Sequence, residues 1–417
     1  MAFEFPIPVQ IAFYRLERAI TRPVRWLAFG RVWKRRVVVA KITGSYGKTT
    51  TSRMLAAILK ASGHKVGLWC SDGVLVDGRQ MPGTGRSCYY GARRVFRHKN
   101  ITAAVLECTV GGQVMQGQYA PRCDAAALLN VSDMHKGQYG LEIVEDTARV
   151  KQSIVQTSTG SLVVNLDDPH SAMLANTRPA NAVTGLSMDP QNPALLQHAK
   201  HGGRSITLSE DGEQIVLLSP SGEFEVLARV ASIPETAGGT ARHVAANAMA
   251  AAGLALNLGA DRDSIRTGLE KDTFAGHLKP RFSIVDTPGF KLVLDKALGP
   301  LALQNGVQAT ARIRASGRRV AILNAPRETS DDMFSQMAVA VAGEFDVFVC
   351  CGAVADRYAM ALENTPVSTD KIFREKELVS ACKTARDLVE DEGLIYVQVA
   401  YPDRHEPIKA ALGVASD

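Results

Sequence analysis

From residue 37 onward, short apolar runs alternate with longer stretches of helical spacing. Residues 37–42, 65–70, 103–107, 125–131 and 162–165 are brief and apolar at consecutive positions, with many β-branched or alanine residues. That pattern predicts strands covered on both faces, as in a parallel sheet flanked by helices. A helix is predicted over residues 49–61, directly after the first run. Residues 214–218 and 223–230, separated by Ser219-Pro220-Ser221-Gly222, predict an added hairpin. A linker is expected at 276–289. After it, runs at 291–294, 320–323, 347–350 and 394–399 alternate with helical segments and predict a second, smaller α/β domain.

Composition supports folded domains. The chain has 417 residues, enough for roughly two to three domains. Hydrophobic residues make up 46% and charged residues 22%, which excludes a disordered polar chain. The net charge of +6 comes without a long Lys/Arg stripe interleaved with aromatics, so a nucleic-acid partner is not expected and anionic small molecules fit as well. None of the seven cysteines forms a C-x-x-C pair, and Cys108, Cys350 and Cys351 lie in apolar runs. They read as reduced core thiols in a cytoplasmic protein. No signal peptide is expected, because Glu4, Arg15, Glu17 and Arg18 interrupt the N-terminus. Residues 243–260 lack formal charge but include Asn247 and Asn257, so a buried Ala-rich helix is expected in place of a membrane span. Residues 1–37 form a basic, aromatic arm. It reads either as helices packed on the first domain or as a peripheral contact with an anionic membrane.

The strongest local signal is Thr43-Gly44-Ser45-Tyr46-Gly47-Lys48-Thr49-Thr50, between a predicted strand and a predicted helix. Glycines let the backbone wrap a phosphate, and the helix N-terminus directs N–H groups at it. Lys48 is placed to reach the β/γ-phosphates and the Thr49 hydroxyl to ligate Mg²⁺. The loop is shorter than the common phosphate loop, since Ile42 stands where a first glycine would be expected.

These residues resemble the Mur ligase superfamily, whose central domain carries a short T-G-x-x-G-K-T-T loop. Asp72-Gly73-Val74-Leu75-Val76-Asp77-Gly78, Leu106-Glu107-Cys108-Thr109-Val110-Gly111-Gly112 and Arg122-Cys123-Asp124 are similar, in order and spacing, to the Mur-like region of cyanophycin synthetases. So are Leu129-Asn130-Val131-Ser132-Asp133-Met134-His135-Lys136-Gly137, Ala148-Arg149-Val150-Lys151 and Asn165-Leu166-Asp167-Asp168-Pro169. The resemblance implies an α/β fold: a central P-loop parallel-sheet ATPase domain over 38–280, then a smaller Rossmann-like domain over 281–417. It implies that Gly44, Ser45, Gly47, Lys48, Thr49 and Thr50 hold ATP. Glu107 and His135 would join Thr49 at the Mg²⁺ site. Lys151 aligns with a lysine that many members carry as a carbamate, an oxygen ligand for a second metal; its plain reading is a helix-surface lysine. Asn247, in His243-Val244-Ala245-Ala246-Asn247, would contact adenine. Arg281, in Lys279-Pro280-Arg281, would contact phosphate, and Asp295 would hold the ribose.

The resemblance also has gaps. Lys296, Leu298 and Gly299 replace the aromatic, histidine and asparagine of the family's motif after the aspartate. Asn324-Ala325-Pro326-Arg327-Glu328-Thr329-Ser330-Asp331-Asp332 lacks a usual glycine. Tyr401-Pro402-Asp403-Arg404-His405-Glu406 stands near the place of the usual glycine-lysine-glycine motif. Only 42 residues precede Thr43, too few for a UDP-sugar-binding domain with its own core, so a UDP-sugar substrate is not expected. The expected layout is that of free-standing ligases such as folylpolyglutamate synthases. The implied activity is ATP-dependent: Lys48, Lys151, His135 and Arg281 serve an acyl-phosphate step between two domains, and an amine of an amino acid or short peptide completes an amide. A non-catalytic nucleotide-binding partner of a polymer-synthesis or membrane complex is the rival.

Overall fold

A computed structural model of the chain describes residues 35–82, 88–219, 221, 223–271, 274, 281–399 and 405–414. These fall in two compact units, one within 1–234 and 244–278, the other within 235–243 and 279–417. The arm before residue 35, Lys279-Pro280 and residues 401–404 lie outside the described residues.

In the first unit, the strands are β1 (Val38–Thr43), β2 (Val66–Cys70), β3 (Gly73–Val76), β4 (Arg79–Gln80), β5 (Ala103–Glu107) and β6 (Cys123–Leu128). They continue with β7 (Ser158–Asn165), β8 (Val183–Leu186), β9 (Arg204–Leu208), β10 (Gln214–Leu218) and β11 (Phe224–Arg229). They form one sheet in the order β11-β10-β9-β8-β7-β6-β1-β5-β2-β3-β4. From β9 to β2 all neighbours are parallel, as the doubly apolar runs require. The edges are antiparallel: β3 and β4 at one side, β10 and β11 at the other. The hairpin expected at 214–230 is therefore present as the β10–β11 edge. The central strand β1 is buried along nearly its whole length, with the sheet's other parallel strands on both sides.

The predicted helix after β1 spans Lys48–Ala61. Its Met54-Leu55-Ala56-Ala57-Ile58-Leu59 segment combines good helix formers with burial. It ends at Ser62 and the left-handed Gly63, φ +84°. It packs against the helix Arg262–Glu270 at Gly268. A Cβ on Gly268 would lie 2.4 Å from Ile58 Cα and 2.5 Å from its nitrogen, so backbone meets backbone there. The uncharged stretch at 243–260 forms the helix His243–Asn257, largely buried. No helix among the described residues is long and apolar enough to cross a membrane.

The second unit has β12 (Phe282–Asp286), β13 (Phe290–Asp295), β14 (Arg319–Leu323), β15 (Val347–Cys351), β16 (Ile372–Glu375) and β17 (Gly393–Gln398), in the order β12-β13-β17-β14-β15-β16. All pairs are parallel except β12–β13. This corrects the linker expected at 276–289. Residues 282–286 form an edge strand that Thr287 and Gly289 (φ +94°) turn into β13. The seven cysteines carry free thiols and all but Cys88 are buried, as the apolar runs suggested.

The Gly268 contact generates a prediction. Gly268→Ala should lower unfolding stability by about 1–3 kcal/mol, because backbone atoms cannot yield as side chains do. Gly343→Ala, whose added methyl would meet nothing within 4 Å, should leave it unchanged. Chemical denaturation of both variants checks this.

Candidate active site at the first strand–helix turn

β1 delivers Thr43 to the middle of the sheet, and residues 44–47 turn the chain into the helix Lys48–Ala61. Gly47 makes the turn at φ +80°, ψ −13°. A side chain there is excluded twice: the dihedral is left-handed, and a Cβ would lie 2.0 Å from Asn247 Oδ1. Gly44 is also close-packed, with a Cβ position 3.0 Å from that of Leu129.

Glu107 ends β5, and the β1–β5 register sets it opposite Ile42. Its carboxylate therefore sits beside the turn, 2% exposed. Glu107 Oε2 accepts from Thr49 Oγ1 at 3.0 Å and from the Ser71 amide at 2.8 Å, while Oε1 accepts from Ser71 Oγ at 3.0 Å. Thr49 Oγ1 is also 3.3 Å from Ser71 Oγ. The expected pair, Thr49 and Glu107, is thus in direct contact, and Ser71 is a third oxygen that the sequence reading did not single out. Thr49 and Glu107 are buried and Ser71 is exposed, and three such hard oxygens suit Mg²⁺, which prefers them as ligands.

The segment after β6 forms the opposite wall. Asn130 Oδ1 accepts from the amides of Ser45 and Tyr46, both at 2.9 Å. Asn130 main-chain oxygen accepts again from Ser45. The Ser132 amide donates to Ser45 Oγ at 2.8 Å. Lys48 Nζ donates to the carbonyls of Gly44 and Ser45 at 2.9 and 3.0 Å. Thr50 is buried in the helix's first turn, and Thr51 Oγ1 is 3.4 Å from Asn247 Oδ1. Asn247 therefore packs against the loop.

Lys151 lies on the helix Val144–Val155 and is fully buried. This corrects the plain reading of a helix-surface lysine. Its Nζ donates to Ser45 Oγ at 2.5 Å and to Asn130 O at 3.4 Å. Burial, and then the Lys48 ammonium, pull its pKa down to about 7, with Asp168 opposing. Asp168 is fixed by the amides of Val131 and Ser171. His135 occupies a short turn, Asp133–His135, with Nδ1 3.3 Å from Gln138 Oε1. Burial chiefly, with Lys48 and Lys151 adding to it, lowers its pKa to about 4. The imidazole is neutral near pH 7, the form that can bind a metal. Ser45, Lys48, Thr49, Glu107, Asn130, His135 and Lys151 thus cluster around one turn of the first unit.

The remaining expected residues belong to the second unit. Arg281 precedes β12, and its carbonyl accepts from the Lys296 amide at 2.8 Å. Asp295 ends β13 and is 6% exposed. Its Oδ2 accepts from Tyr396 at 2.7 Å, and a Cβ on Gly306 would lie 1.7 Å from the same oxygen. Burial pushes the Asp295 pKa up to about 7, with Tyr396 opposing. At least one carboxylate oxygen is thus engaged inside the second unit, an environment its ribose-holding role did not anticipate.

Comparisons with known proteins bear on this arrangement. Residues 42–255 match the Mur ligase middle domain family. A cyanophycin synthetase from Geminocystis herdmanii is 27% identical over 401 residues, covering 92% of this chain and 44% of that protein. The chain therefore spans less than half the length of that relative. Escherichia coli FolC in complex with ADP superposes with a TM-score of 0.69 at 18% identity, covering 97% of this chain and 98% of FolC. A bifunctional folylpolyglutamate synthase/dihydrofolate synthase with Mn, AMPPNP and L-glutamate bound gives 0.66 at 17% identity, with 98% of each chain covered. At these identities the two structures establish the shared fold.

The buried amine yields a pH prediction. Lys151 titrates near 7 when folded, against 10.5 for a free lysine. Between those values the unfolded chain binds more protons, so stability should rise with pH through that window. The penalty is complete below pH 7. Lys151→Met should remove most of this slope. Denaturation midpoints of parent and variant across pH 7–10.5 test it, with at least about a tenfold gain in the parent's folding constant expected.

Proposed function

The chain belongs to the Mur ligase family, and from that premise we propose that it is an ATP-dependent ligase joining a carboxylate to an amine. The observation that carries this reading is the convergence of Lys48, Thr49, Glu107 and Lys151 on a single glycine-framed turn. A mere nucleotide-binding scaffold does not need a buried lysine with a pKa near 7 beside the phosphate loop. The domains in this reading are a central one over 38–280 and a C-terminal one over 281–417, with the basic arm before them.

In the mechanism, Gly44, Ser45, Gly47, Lys48, Thr49 and Thr50 hold the triphosphate, and Lys48 faces its β/γ end. Thr49, Glu107 and His135 would hold Mg²⁺, which would neutralise phosphate charge. The substrate carboxylate attacks the γ-phosphorus, ADP leaves, and an acyl phosphate forms. Lys48 and Arg281 stabilise negative charge that develops on the transferred group. Lys151 reaches its neutral form near pH 7, the form that can take up carbon dioxide as a carbamate and become an oxygen ligand. An amine then attacks the acyl carbon, releasing phosphate and leaving an amide. Asn247 serves the adenine. Asp295 serves the ribose through the carboxylate oxygen that Tyr396 does not engage. The acid and amine are an amino acid, a dipeptide or a γ-linked peptide, and the protein works in the cytoplasm.

The test traps the first half-reaction. Parent protein, ATP, Mg²⁺ and a panel of amino acids and dipeptides are incubated with hydroxylamine, and hydroxamate and ADP are measured. A hydroxamate with at least one acid is expected. Lys48→Ala should reduce it by about a thousandfold, the scale of losing one stabilising charge at a phosphoryl-transfer site. Tight ATP binding with neither product across the whole panel would favour a non-catalytic nucleotide-binding partner of a larger complex.

A further inference from the structure

The second unit has a cleft of about 520 Å³ at the edge of its sheet where β13 and β17 begin. That size suits a small molecule. Phe290 and Gly393 pair in register at this edge, while Asp295 and Gln398 pair at the other. The length of β13, about 17 Å, therefore separates the cleft from Asp295. Open α/β sheets take their ligands beyond the carboxyl ends of the strands, so the cleft lies at the edge where this fold leads one to expect none.

Three segments of chain meet at the cleft, and Glu392 ties them together. Its amide donates to Gly289 O at 2.6 Å, and its carbonyl accepts from the amides of Ser316 and Gly317 at 3.1 and 3.2 Å. A Cβ on Gly317 would lie 2.3 Å from Asp391 O, and one on Gly393 2.6 Å from Arg318 O. Backbone is packed on backbone, so the cleft is formed before any ligand arrives. Glu392 makes these bonds at φ +58°, a left-handed conformation that glycine adopts freely and side chains rarely do. Glycine would build the same turn with less strain. What glutamate adds at this position is a carboxylate on the cleft.

The charges that line the cleft divide into two sets. Lys291 Nζ donates to Asp286 Oδ1 at 2.7 Å, so these two are matched within the wall. The exposed Arg314 has no hydrogen-bond or ion-pair partner among the described residues. Glu392 Oε2 accepts from the Ser316 hydroxyl, and no described residue engages Oε1. One cation and one anion are thus left over, and they do not pair with each other. A phosphate or nucleotide would satisfy Arg314 and be repelled by Glu392 and Asp286. A diamine would meet the reverse. A ligand with one charge of each sign satisfies both groups.

We propose that this cleft binds a zwitterion of amino-acid or dipeptide size, with its carboxylate on Arg314 and its ammonium on Glu392. Both contacts are charge-assisted hydrogen bonds, the strong kind, and the rigid walls leave little ordering cost to the ligand. The site is separate from the phosphate loop of the first unit and from Asp295.

The test is titration calorimetry of the full chain, without ATP or Mg²⁺. The probes are the common amino acids, alanyl-alanine, inorganic phosphate and two single-charge analogues, N-acetylalanine and alanine amide. At least one zwitterion should bind, and both single-charge analogues should bind at least about tenfold more weakly than alanine or alanyl-alanine. Arg314→Ala and Glu392→Gly should each weaken zwitterion binding by at least about tenfold. The thermal midpoint should be unchanged in Arg314→Ala and no lower in Glu392→Gly, because glycine relieves the left-handed strain. Failure of every zwitterion to bind overturns the proposal. So does binding that both variants retain in full, which places the ligand elsewhere, and so does phosphate binding more tightly than any zwitterion. The calorimetry contains no ATP, so this proposal and the ligase reading can each fail alone.

Discussion

Gly47 turns the chain from β1 into the helix Lys48–Ala61 at a positive φ, with Asn247 Oδ1 filling the space a side chain would need. The rest of the site is arranged around that turn. The helix starts at Lys48 straight after the left-handed Gly47, and this start places Thr49 Oγ1 3.0 Å from Glu107 Oε2. Asn130 holds the Ser45 and Tyr46 amides on the other side. Packing and protein hydrogen bonds shape the loop, so most of its ordering cost falls on folding and little of it on a ligand. The Gly268 contact extends the same constraint, since the helix that begins at the turn is seated against a second helix without intervening side chains.

Two buried lysines of the first unit show how environment separates roles. Lys41 lies on β1 and donates to the Gln118 side chain, to Ala120 O at 2.6 Å and to Thr157 Oγ1 at 2.8 Å. Burial lowers its pKa too, but its three acceptors match the three protons of an ammonium. Lys151 has two acceptors and the Lys48 charge close enough to disfavour its own. Lys41 ties β1 to its neighbouring loops, while Lys151 is held where a neutral amine is accessible.

Much of the first unit was legible because its chemistry is local. The loop residues, the order of Glu107, His135 and Lys151 after them, and the doubly apolar strands all leave marks within short windows. Strands β8, β9 and β16 were missed because they are short and broken by Gly185, Arg204, Ser205, Arg374 or Glu375, so no clear run marks them. Ser71 and Asn130 were missed as site residues for another reason. Each is an ordinary polar residue just beyond a strand, and its contact lies 36 to 85 positions away. Asp295 was located by its motif, but its bond to Tyr396 comes from the β13–β17 register, which pairs strands a hundred residues apart.

The sequence by itself determined the α/β alternation, the phosphate-loop turn and the residue types that surround it. Strand period, glycine freedom and helix propensity act over a few neighbouring residues, so a window of the chain contains their cause. Tertiary structure alone decided which oxygens face each other, how deeply Lys151 is buried beside Lys48, and that Arg35 closes the end of the helix Cys88–Arg97. Those outcomes depend on sheet order and on burial. Burial is a property of everything packed around a side chain, and residues distant in sequence supply it.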